Sequence, residues 1–436
     1  MMKVKNQIIL LIVLLGLTSI RCGTKTMNQN EGMYIDPTLT RWVFTEELSE
    51  VEREVHDYYL KKIDQWWTEF QKHESDILAS MNHGGSLDLG KFMKDNLQGI
   101  YPKLFWEFGP ALHGEGHRLV ITPETNKFLR PFVNEIINRA PQIIGWEFYA
   151  YRQSERFDDA EATVKGRTGG TIKDLEVQLI ANEFNAIDVI FIRKNCLTND
   201  DFNRSFNDAF VGLEAILGEE VLDKWVGYID VVNQPVDAIR VLNIKDLKAS
   251  FESEIKEVQA KLPSSYYYDI SNESSWTGYE LNPKEQQNYL SCEDLYMART
   301  MNTSIWRNAH SNELFYSERH SKNGETFCFL KIDGDSLMNE KSLTDKANLE
   351  NALDSVLIDQ GLGSVVGGGV GLKYIYIDLA LTDLVSGVNV VKKVASQYAV
   401  TNNAWILFFD SELESEWVGI RGDSPRPPME DFTLRE

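Results

Sequence analysis

The chain has 436 residues, 43% apolar and 25% charged, an ordinary globular composition that excludes wholesale disorder and collagen-like structure. At about 100–200 residues per domain, that length implies two or three domains. Lys+Arg is 44 and Asp+Glu is 66, a formal net charge of −22 that repels phosphate backbones and excludes sequence-independent nucleic-acid binding.

Lys3 and Lys5 precede an apolar run at residues 8–20, IILLIVLLGLTSI. A helix needs about 20 apolar residues to span a bilayer, so this run is too short. A basic stretch before a short apolar core is the pattern of an export signal. Cys22 follows, then Gly23 and a polar stretch. This spacing resembles a bacterial lipoprotein signal, which implies acylation of the cysteine as the new N-terminus. Arg21 departs from that pattern, which has a small residue before the cysteine. The expected layout is a signal peptide over residues 1–21, lipidation at Cys22 and a tether over 22–40. The expected location is exported: a membrane lipoprotein, otherwise periplasmic or secreted. The other cysteines, Cys196, Cys292 and Cys328, lack C-x-x-C spacing, which disfavours a zinc cluster. Cys328, in FCFLKI, reads as a small core residue.

Residues 41–110 read as a helical N-terminal region. Thr45 is the expected N-cap, with Glu46 and Glu47 in the first turn. Leu48, Val51, Val55, Tyr59, Ile63, Trp66 and Phe70 recur at three- and four-residue steps, so one helix face is apolar as far as about Ser75.

Residues 111–240 read as a first sheet-and-helix domain. A strand over 118–121 leads to a helix start at Thr122-Pro123-Glu124, with Phe128, Leu129, Phe132, Val133, Ile136 and Ile137 inward. A strand follows at 143–151, then a break at 166–170. Strands at 172–184 and 186–193 flank a tight turn at Asn185. Helix 200–217 and a helix-or-strand region at 221–232 close the domain. Residues 241–311 comprise a charged helix, 245–262, and an aromatic-rich connector packed on both domains. Residues 312–420 form the second domain. It has a hairpin of 313–318 and 326–333 around Asn323-Gly324, then helix 343–360 stopping at Gly361. Strand 372–379, helix 383–398 and strand 405–410 complete it. Residues 421–436 are a tail. The fold class is α+β, with two ferredoxin-like sandwiches and a long N-terminal helix. The two sandwiches suggest duplication at the level of fold.

The densest polar segment is His113-Gly114-Glu115-Gly116-His117-Arg118. Two histidines four apart with a carboxylate between would suit a metal, as His113, Glu115 and His117, with Glu147 and Tyr149 the first to join them. The glycines disfavour the helix that such spacing needs, and H-E-x-x-H is absent. The competing reading is a turn into the next strand, with Glu115 paired to Arg118. Residues 361–371, GLGSVVGGGVG, run into a strand rather than a helix, which excludes a phosphate cradle and points to a bulged strand. Gly367, Gly368 and Gly369 are also candidates for a surface that a partner approaches closely, together with Trp146 and Tyr149. Asp333-Gly334-Asp335 lacks the later ligands of a calcium loop. No G-x-S-x-G is present.

The runs EGHRLVITPE (115–124) and GWEFYAYR (145–152) resemble uncharacterised bacterial proteins carrying domains of unknown function. GGGVG (367–371) followed by IYIDL (375–379) resembles a second such group of small ferredoxin-like units. Some relatives lie near the fold of the ribonuclease E regulator RraB. The resemblance covers about half the chain. It implies fold and carries over no catalytic residue. The expected function is therefore a lipid-anchored cell-envelope module that binds an unidentified protein partner without catalysis and without a cofactor. Membrane contact is expected through the anchor or signal segment only. The alternative is a metal-assisted hydrolase centred on His113, Glu115 and His117.

Overall fold

A computed structural model describes residues 35–81, 85–194, 196, 198–236, 239–270, 276–334, 340–398 and 400–429. The signal segment, Cys22, most of the tether and the last residues of the tail lie outside the described residues. The chain is α+β, with sheets of three, four and seven strands.

The first sheet belongs to the N-terminal helices. Helix α1 (Glu50–Lys72) starts at Ser49, not at Thr45. Ser49 and Glu52 form a reciprocal capping box, which satisfies two orphan N–H groups. The buried stripe therefore begins at Val55 and runs through Tyr59, Ile63, Trp66, Trp67 and Phe70, while Val51 is 68% exposed. Helices α2 (Glu74–Met81) and α3 (Leu89–Ile100) follow. Strand β1 (Phe105–Pro110) pairs antiparallel with β2 (His117–Thr122). Helix α4 (Arg130–Asn138) crosses back to β3 (Trp146–Tyr149), which runs parallel to β2. The helix expected from Thr122 starts later. Glu124 has φ 53°, and a short 3-10 turn at Lys127–Leu129 precedes α4.

The second unit is α5 (Phe157–Thr168), β4 (Glu176–Ala181), β5 (Ile187–Ile192), α6 (Asn199–Leu217), α7 (Glu219–Trp225), β6 (Val226–Val232), β7 (Leu242–Asn243) and α8 (Leu247–Lys261). Its strand order is β6-β5-β4-β7. The β4–β5 hairpin turns at Asn185, with φ 59°. Helix α5 occupies a segment for which the residue pattern predicts no element, and it runs into the break expected at 166–170. It ends where Gly169 takes φ 76°, an ordinary C-terminal cap.

The third unit contains β8 (Thr277–Glu280), β9 (Leu295–Thr300), α9 (Thr303–Ala309), β10 (Thr326–Asp333), α10 (Glu340–Asp359), β11 (Gly363–Gly371), β12 (Tyr374–Leu381), α11 (Leu384–Ala395), β13 (Ala404–Phe408) and β14 (Val418–Gly419). The order is β14-β13-β10-β12-β11-β9-β8, with every adjacent pair antiparallel. Both faces are buried, so β10 is apolar on each. Cys328 and Leu330 face a core closed by α10 and α11, while Phe327 and Phe329 face one rich in aromatics. The aromatic-rich segment is therefore no connector. It supplies β8 and β9 to this sheet, and Tyr267 and Tyr289 to the second core. Residues 313–318 form no strand; β10 pairs with β12 and β13 instead.

Residues 111–240 thus contribute to two sheets, not one. The succession helix, hairpin, helix, strand occurs three times: α3-β1-β2-α4-β3, α5-β4-β5-α6-α7-β6 and α10-β11-β12-α11-β13. In the first two the last strand pairs parallel to the second hairpin strand. In the third, β10 lies between them.

Candidate functional site

The segment 111–116 is the tip of the β1–β2 hairpin. Its conformation is set by glycine: Gly116 has φ 133°, and a Cβ there would overlap the Gly145 carbonyl. Glu147 organises the tip from β3. Its carboxylate accepts from the Leu112 N–H at 2.7 Å, the His113 N–H at 2.9 Å and the Tyr149 hydroxyl at 2.7 Å. The Leu112 N–H and the Tyr149 hydroxyl hold Glu147 down to about 2. The His113 ring is 80% exposed, with Nδ1 at 3.2 Å from the Tyr149 hydroxyl. The His117 ring packs 5.6 Å from Trp146, and Glu115 points to solvent. Arg118 pairs with Glu107 at 3.3 Å and donates to the Pro110 carbonyl; it does not pair with Glu115. Among the described residues, no three His, Cys, Asp or Glu side chains are grouped to hold a metal ion.

The other sequence candidates lie inside the molecule. Trp146 is 8% exposed, packs edge-on against Phe70 and donates its indole N–H to Glu74 at 3.1 Å. Gly367, Gly368 and Gly369 are buried mid-strand in β11, between β12 and β9. A Cβ at each would overlap the neighbouring strand, so these glycines let strands approach one another and offer no outer surface.

The strongest polar constellation was hidden in the sequence. Arg130, the first residue of α4, is fully buried where the three units meet. Its Nη2 donates to Glu219 at 2.8 Å and Asp223 at 2.9 Å, both on α7, and its Nη1 to the Ala150 carbonyl at 2.8 Å. Burial alone would lower its pKa; the two carboxylates reverse that and raise it. The guanidinium also lies 4.0 Å over the Tyr151 ring. The Tyr151 hydroxyl reaches into the third unit and donates to Glu412 at 2.8 Å. Beside it, Arg152 pairs with Glu214 at 2.9 Å and Glu124 at 2.7 Å, and Arg167 pairs with Glu214 at 2.9 Å and Glu107 at 3.0 Å. The signal in the sequence was a lone charge inside FLRPFV. A cation there needs buried partners.

A second junction pins the residues before α1 to the third unit. Glu416 is buried and accepts from three successive N–H groups: Trp42 at 2.7 Å, Val43 at 3.0 Å and Phe44 at 3.3 Å. Arg41 chelates Glu52, donates to the Trp417 carbonyl at 3.1 Å and lies 4.1 Å over the Trp417 ring. Phe44 stacks on Phe408 at 5.0 Å.

Between these junctions a cleft of about 300 Å³ opens to solvent. That is the lower end of the size range of small-molecule sites. Trp42, Val43, Pro131 and Leu413 form its apolar wall. Arg130, Asn134, Glu135 and Asn138 from α4 and Glu412 from the third unit supply the polar groups, a cation among them. The cleft can hold and orient a small polar group. It contains no paired nucleophile and base among the described residues.

Among the described residues, no helix is long and apolar enough to cross a membrane. No family model, no curated protein and no solved structure matches the chain.

Proposed function

We propose that this is an exported, lipid-anchored cell-envelope protein that binds a protein partner without catalysis. The observation that carries it is the opening segment: Lys3 and Lys5, the apolar run 8–20 and Cys22. The charge of −22 favours a partner more basic than itself. The buried arginines lend support, because Arg130 and Arg152 spend their charge on ion pairs that join the first unit to the second. The third unit is proposed to be a ferredoxin-like sandwich extended at both edges. Its β10-α10-β11-β12-α11-β13 succession and β13-β10-β12-β11 order support that. Sandwiches of this kind host many unrelated roles, so the fold adds no reaction.

Intact-mass measurement of the chain expressed with its own N-terminus tests the proposal. The expected species begins at an acylated Cys22 and fractionates with membranes, and Cys22→Ser leaves it unacylated. Unprocessed chain free in the cytosol overturns the proposal. The partner is sought by pull-down from envelope fractions at low salt, where recovery of nothing counts against it.

A further inference from the structure

We draw no further inference here: the strongest candidate, the side-chain cluster of Arg319 and Tyr316 against α7, leaves the Arg319 Nη2 and the Tyr316 hydroxyl without hydrogen-bond partners among the described residues, but Glu313, Asp188 and Asp410 already act on the guanidinium, and nothing in the structure shows what ligand would reach two side chains that are each 2% exposed.

Discussion

His320 is 1% exposed, its ring stacked 4.8 Å from Phe315 and its Nε2 at 2.9 Å from the Asn308 side-chain oxygen. Burial, with the Arg319 charge next to it, pulls the imidazole down to about 3. The folded protein therefore refuses a proton that the unfolded chain accepts below about pH 6.5. Its contribution to stability is complete above pH 6.5 and is lost as pH falls from there towards 3. Urea unfolding is expected to show a loss of about 2 kcal/mol between pH 6.5 and pH 5 from this residue. His320→Gln should remove that part of the slope; an unchanged slope would refute the assignment. Nothing in the sequence around His320 marks it, because Asn308 and Phe315 reach it only through the fold of the third unit.

At the scale of elements, glycine makes a sharp test. Gly116→Ala places a Cβ against the Gly145 carbonyl at φ 133°, whereas Gly114 has open space around it and no positive φ. The first substitution should cost about 2–4 kcal/mol, read as a lowered Tm, and the second under about 1 kcal/mol. Equal effects would mean that the tip does not depend on contact with β3. Elements with a clean period were legible: α1, α6, the Asn185 hairpin and β12 lie close to where the residue pattern put them. Helix α5 was not, because FDDAEATVKGRT buries only Ala160, Glu161 and Val164 and leaves no apolar stripe to read. Strands β8 and β9 were missed because their partners are distant in sequence. Gly367 pairs with Thr300, and no local pattern reports such a register.

At the scale of the molecule, three units are joined through charge. Arg130→Met would strand Glu219 and Asp223 in the interior, and removal of one partner of a buried pair typically costs about 3–5 kcal/mol. Calorimetry should show a lower Tm and a broadened or split transition, as the first unit loses its grip on α7. A single, unshifted transition would show that this network contributes little to the coupling. Such a junction is opaque in sequence, since Arg130 and Glu219 lie 89 residues apart and Tyr151 and Glu412 lie 261 apart. The sequence marked the histidine tip, where polar residues are adjacent, and passed over the cleft, whose walls come from opposite ends of the chain.

The grip of Glu416 on residues 42–44 also fixes geometry outside the folded body. From Cys22 to Ile35 the backbone can extend at most ~45 Å. With a lipid on Cys22, the leash is short and its fastening point is Val43, which is itself part of the cleft wall. The cleft would then sit within roughly one protein diameter of the bilayer. With such an anchor, anything entering the cleft would approach it close to the membrane surface.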